Sequence, residues 1–200
     1  MAKTKTKTDA SAPKHRRADA ERNIASITNA ALEALASDPD VSMAEIARRA
    51  GVVRATIYMH FPTREALLDA VMEHATALVA EATRQAEPER GEPEEALERV
   101  LLATWKQLGQ FHNVLQININ RLSPKELRRR HLPVTTQIVP LLERGQADGV
   151  FRNDVSALWL IAVVRAIVHV ASTELQAGRL TQAEVERTML TTALAAISPS

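Results

Sequence analysis

Arg54, Ala55, Thr56, Tyr58, Met59 and His60 crowd onto one short stretch and bring together a guanidinium, two hydroxyls, an imidazole and a flexible apolar tip. That set suits the base edges and phosphates of duplex DNA better than bare solvent. Arg54 can donate to a guanine edge or to a phosphate. Thr56 and Met59 can meet base edges or thymine methyls, and Tyr58 and His60 are placed for phosphates. Ser42, Thr63 and Arg64 flank the stretch and belong to the same candidate surface. Any one of these residues, taken alone, reads as an ordinary exposed side chain. Their grouping on one short helix behind a turn glycine gives them a common purpose.

The elements that position them are legible nearby. Ser42 with Glu45 has capping-box spacing, so a helix is expected from Ser42, with Ile46, Ala47 and Ala50 as its apolar stripe. Gly51 supplies the positive φ of a tight turn. Val52 plugs the gap between helices, and a second helix runs over residues 53–60. Ile57 and Phe61 lie four apart and face inward. A helix this short is not stable alone and needs bracing. Residues 18–37, with Ile24, Ile27, Ala31 and Leu35 at helical spacing, provide a bracing helix that ends at Ser37-Asp38-Pro39-Asp40. Thr63 caps a fourth helix that extends to about residue 86.

Here a resemblance becomes specific. The run Ile46-Ala47-Arg48-Arg49-Ala50-Gly51-Val52, then Thr56-Ile57-Tyr58-Met59-His60-Phe61, then Thr63-Arg64-Glu65-Ala66-Leu67-Leu68, resembles the helix-turn-helix of TetR-family (tetracycline-repressor-like) transcriptional regulators. The Tyr-x-His-Phe ending followed by a helix opening in Glu-x-Leu is much sharper than a generic helix-turn-helix pattern. One departure stands out: the family usually carries Ser or Thr where Val53 sits, and Val cannot cap a helix. The segment Glu143 to Arg152 extends the likeness weakly into the second half. The resemblance implies a ligand-released repressor that binds a palindromic double-stranded DNA operator as a homodimer, with the fourth helix carrying motion from ligand pocket to DNA reader.

The expected architecture is all-α. A basic arm over residues 1–17 holds Lys3, Lys5, Lys7, Lys14, Arg16 and Arg17 against Asp9 alone, and lacks the composition to form a core. A helix-turn-helix domain follows over residues 18–79, with its motif at 42–61, and a ligand-binding and dimerisation domain covers residues 80–200. Within the latter, residues 87–94 form a loop, 94–109 a helix and 111–122 a short helix. Ser123 to Glu126 opens another helix, which Pro133 should kink or split. Asp154 caps a long apolar helix to about residue 177, and Thr181 with Glu184 caps the last.

Trp105, Phe111, His112, Gln116, Trp159, Arg165 and His169 are the candidate lining of a small-molecule effector site. Arg165, set in an apolar run, is read as a buried cation that needs an anionic partner. Each aromatic reads more readily as plain core, and Arg165 and His169 read also as pairing with a carboxylate or lying in the dimer seam. Leu158, Ala162, Ala166 and Ala171 on one helix, with Leu190, Ala193 and Ile197 on the next, form flat stripes suited to a four-helix dimer seam, or to filling a monomer core.

Composition narrows the function further. The chain has 200 residues, 46% hydrophobic but only 3% aromatic, which favours helices over sheets. It contains no cysteine, so no disulfide, thiolate nucleophile or thiolate metal site is available, consistent with a cytoplasmic protein. Net charge is +1, so any nucleic-acid footprint lies in the distribution of charge. No glycine spacing resembles a phosphate loop, no Ser sits in a nucleophile elbow, and the 6 His lack zinc-ligand spacing. No catalytic residue, metal or cofactor is therefore assigned, and an enzyme is the weakest reading. The apolar run from Ala157 to Ala171 contains Arg165 and His169 and is shorter than the ~20 residues of a membrane span. An architectural DNA-binding protein without a ligand is the alternative that a pocket in the second domain would decide against.

Overall fold

The computed structural model describes residues 12–108 and 111–199. Every regular element among them is a helix: α1 (Ala12–Ser37), α2 (Met43–Arg49), α3 (Arg54–His60), α4 (Arg64–Gln85), α5 (Pro93–Leu108), α6 (His112–Arg121), α7 (Pro124–Ala147), α8 (Ala157–Gln176) and α9 (Gln182–Ile197). The helix over 111–122 is present as α6. α1 begins at Ala12, six residues ahead of the expected start, so the basic arm is helical over 12–17. Residues 1–11, with Lys3, Lys5 and Lys7, lie outside the described residues.

Two apolar cores organise these helices. The first gathers Ile27, Ala31 and Leu35 of α1, Ile46 of α2, Ile57 of α3 and Leu67 and Val71 of α4, all buried, so that α3 is held from behind by α1, α2 and α4. Phe61 and the half-buried Val52 close its edges as expected. The second gathers Leu97, Val100 and Leu101 of α5, Leu141 and Leu142 of α7, Leu160 and Val164 of α8, and Val185, Met189 and Ile197 of α9.

The division expected between residues 79 and 80 falls inside α4, and α6 does not stay with the second core. Phe111 and Val114 are buried in the first core, and the Asn113 side-chain amide donates to the Ala36 carbonyl of α1 at 2.8 Å. Periodicity could not reveal this, because it shows that α6 has an apolar face and not which neighbour that face meets. A charged cluster ties the same region. Asp69 of α4 accepts from Arg121 of α6 at 2.5 Å and pairs with Arg130 of α7 at 3.0 Å. Arg130 also donates to the Asp69 carbonyl.

Helix ends follow local chemistry, with some departures. Ser42 caps α2 by accepting from the Glu45 N–H at 3.2 Å. The reciprocal half of the box is missing, because the Glu45 carboxylate is taken by Arg48 and Arg49, which hold its pKa at about 2. Ser123 and Glu126 repeat this pattern: the hydroxyl caps α7 while the carboxylate turns to Arg129 and Arg130. Only Thr181 and Glu184 form the full box. The cap of α8 is Ser156 and not Asp154, since the Asp154 carboxylate is engaged by both arms of Arg152 at 2.7 and 2.6 Å. Pro133 does not split α7, which continues through Pro133 and Pro140. Between the two prolines, Gln137 donates to the carbonyls of Pro133 and of Ala80 in α4, tying α7 to α4.

Candidate nucleic-acid interface and interior cavity

The turn between α2 and α3 rests on Gly51, whose φ is +69°. Nothing crowds a Cβ there, so the backbone angle alone calls for glycine. The Gly51 N–H donates to the Arg48 carbonyl and the Val52 N–H to the Ala47 carbonyl, which closes α2 and launches α3. Ile57 is fully buried and anchors α3. The opposite side stands free: Met59 is 68% exposed, Tyr58 39% exposed, and Arg54 and Ala55 are exposed. Thr56 and His60 are half-buried at the flanks. The Arg54 guanidinium lies 5.5 Å from the centre of the Tyr58 ring, a cation–π arrangement that orders both side chains.

Four candidate residues have narrower roles than expected. Arg64 is committed inward, donating to the Pro39 carbonyl at 2.7 Å and to the Val41 carbonyl, so it fastens the loop ahead of α2 to the start of α4. Thr63 spends one lone pair capping α4 through the Ala66 N–H at 3.1 Å. His60 has its Nε2 covered and without a partner, which leaves only its other edge for a phosphate. Ser42 is exposed, although its hydroxyl already serves as the α2 cap.

Val53 is the N-cap of α3, in extended backbone geometry and with no side-chain capping bond. It is 70% exposed, so its methyl groups bury little. Val53→Thr is therefore expected to raise the unfolding free energy by about 1 kcal/mol through the restored cap. Urea denaturation reads this directly, and an unchanged midpoint would show that the first turn of α3 is already satisfied.

Residues of α4 to α8 line a cavity of about 630 Å³ that is partly open to solvent. Its walls are mostly apolar, with Met72 and Val79 from α4, Leu101 from α5, Val114 and Ile119 from α6, and Ile138 from α7. Of the residues expected to line it, Phe111, Arg165 and His169 do. Gln116 and His112 sit in the adjoining polar network. The Gln116 amide approaches His169 Nε2 at 3.3 Å, and His112 Nδ1 lies 2.7 Å from the Ser172 hydroxyl, Ser172 itself being part of the wall. The His112 and His169 rings stand nearly parallel with centres 6.3 Å apart. Burial pushes the His112 pKa down, and His169 adds to that.

The two tryptophans fall elsewhere. Trp105 is 1% exposed in the second core, and Trp159 is 60% exposed on the outer face of α8. Arg165 is exposed rather than buried and has no carboxylate partner among the described residues. Arg128 and His131, which no sequence signal singled out, also line the cavity. Of the stripes expected at a dimer seam, Leu158 and Ala166 are exposed, while Ala162 and Leu190 are half-buried. Ala171, Ala193 and Ile197 are buried inside the protomer and offer no surface to a partner. Tight packing of α8 on α9 uses their small or apolar side chains internally. α8 is also long and apolar enough to cross a membrane by length and composition alone, yet its Leu160, Ile161, Val164 and Val168 face packs into the second core.

A bracing helix, a two-helix unit turned at a glycine and a helical second half that contains a cavity are the architecture of a helix-turn-helix regulator. The family model for bacterial regulatory proteins of the tetR family matches residues 27–71, and that for the tetracyclin repressor-like C-terminal domain matches residues 93–192. The chain belongs to the TetR family. It is 37% identical over 81 residues to the HTH-type transcriptional repressor LfrR of Mycolicibacterium smegmatis, an alignment spanning 40% of this chain and 43% of that protein. It is 29% identical over 126 residues to the HTH-type transcriptional regulator NfxB of Pseudomonas aeruginosa, spanning 62% of this chain and 67% of that protein. The crystal structure of LfrR from Mycobacterium smegmatis in complex with proflavine superposes with a TM-score of 0.72 at 25% identity, covering 88% of this chain and 97% of that one.

Proposed function

We propose that this protein is a cytoplasmic, homodimeric transcriptional repressor that binds a partly palindromic DNA operator and is released by a small molecule in its interior cavity. The observation that carries this reading is the placement of Phe111 and Val114. Both belong to the core that holds α3, and both line the cavity. A guest that displaces either residue acts on the packing behind the DNA-reading helix. α4 adds a second route, since it contributes Leu67 to the first core and Val79 to the cavity wall. The guest must favour the form that does not fit DNA, because only differential affinity shifts the equilibrium. The cavity also favours a sensor over an architectural protein without a ligand.

Dimerisation is supported by the outer face of α8, where Leu158, Trp159 and Val170 are exposed. A neighbouring face of α9 carries the small exposed residues Thr188, Thr191, Thr192 and Ala195. Two such helix pairs can close on each other as a four-helix seam, which would set the two copies of α3 about 34–36 Å apart on successive turns of duplex.

Binding-site selection from random duplexes with the full chain tests the reading. A symmetric pair of half-sites is the expected product, and an unenriched pool would overturn it. On the selected duplex, Arg54→Ala should cost about 1–3 kcal/mol and relax the preference at one base position. Tyr58→Ala should weaken binding to all sequences alike. Because the two side chains touch, the double variant should lose less than the sum of the single losses. Strict additivity in electrophoretic titrations would separate their roles.

A further inference from the structure

We infer that the cavity is built for an amphipathic organic anion, an apolar body ending in a carboxylate, and that it disfavours cationic guests. The inference rests on the reading of this cavity as the effector site. Among the described residues, the ionisable groups in its wall are Arg128, His131, Arg165 and His169, and no Asp or Glu lines it. Arg128 and Arg165 carry no ion pair among the described residues, although most other arginines of the chain are held by a carboxylate or by backbone carbonyls. They are exposed in the protomer, so keeping them charged costs little while the cavity is empty. A carboxylate entering the cavity exchanges water for a charge-assisted guanidinium partner.

The Gln116 side-chain amide meets His169 Nε2 at 3.3 Å. His169 Nδ1, on the other edge of the ring, is buried without a partner. His131 is kept toward its neutral form, first by burial and further by the Arg165 charge, against an opposing hydrogen bond to the Leu127 carbonyl. The fixed positive charge therefore sits on the two arginines. The remaining wall, including Met72, Val79, Leu101 and Ile138, is apolar and accepts a hydrocarbon body. A cation such as proflavine, the guest in the LfrR complex, would enter here without a carboxylate to neutralise it and would face both guanidiniums.

Isothermal titration calorimetry of the full chain with decanoate, decan-1-ol and decyltrimethylammonium compares one tail bearing three charges, and proflavine serves as an aromatic cation. Decanoate is expected to bind roughly tenfold or more tightly than the others. R128A/R165A should erase that advantage, and R128K/R165K should retain most of it. Both positions are exposed, so the thermal melts of the two variants should match that of the parent. The inference is overturned if the alcohol, the ammonium or proflavine binds as tightly as decanoate, or if R128A/R165A holds decanoate unchanged. It is also overturned, together with the effector-site reading, if no probe binds. Calorimetry needs no DNA, so the two ideas separate. Decanoate binding without operator release would sink ligand-released repression and support the anion preference. Operator release by proflavine in the absence of decanoate binding would do the reverse.

Discussion

Phe111→Ala is expected to destabilise the protein by about 3 kcal/mol, at the lower end of the usual range for removing a buried aromatic ring. Phe111 is 8% exposed and packs with the first core, so the lost transfer energy is large. One side of the ring borders the existing cavity and has fewer atoms to lose, which places the effect at the low end. The truncation also joins new space to the cavity on the side of α3. Binding of a guest should therefore survive, while its influence on DNA affinity should fall. Thermal unfolding followed by circular dichroism gives the first quantity, and operator titration with and without guest gives the second. A loss below about 1 kcal/mol would contradict the shared-wall position of the ring. Phe111→Leu, which keeps most of the volume, should retain most of both properties.

Gly145→Ala is the second large effect. On an ordinary helix the change gains up to about 1 kcal/mol, because alanine restricts the unfolded chain and suits the helix. Here a Cβ would meet the Phe151 ring at 2.1, 2.4 and 2.9 Å, well inside contact distance. Phe151 is 3% exposed and cannot swing into solvent without leaving the second core. Its N–H and that of Val150 both donate to the Gly145 carbonyl at 2.9 Å, so the backbone that carries the ring is pinned to the same residue. Overpacking typically costs about 1–3 kcal/mol, and this contact belongs at the upper end. The net expectation is a loss of about 2 kcal/mol, or a fall in Tm of about 4–8 °C for a chain of this length. Gly145→Ala combined with Phe151→Leu should be less destabilised than the two single changes added together. Simple additivity would show that the ring yields by another path.

The helix-turn-helix geometry was legible because its determinants are local. Ser42, Gly51, Ile57 and Phe61 act within a few residues of one another, and each follows from capping, turn geometry or helical spacing. The same locality failed where one residue chooses between near neighbours. Asp154 and Ser156 both suit a helix cap, and the partnership of Asp154 with Arg152 decided the matter. Arg64 follows a cap and has the charge for a phosphate, yet the carbonyls of Pro39 and Val41, distant in sequence, claim it.

The chain order of residue types by itself determined the helical class, the turn at Gly51 and the outward face of α3, since those depend on interactions within one or two helical turns. Only the tertiary structure decided which apolar faces meet and where they fail to meet. It placed Trp105 in the core and Trp159 outside, buried Ala171, Ala193 and Ile197 within the protomer, lent α6 to the N-terminal core, and left an apolar hollow ringed by Arg128 and Arg165. A hollow is set by the separation of α4 to α8. No residue encodes that distance alone, because it is the result of all their contacts taken together.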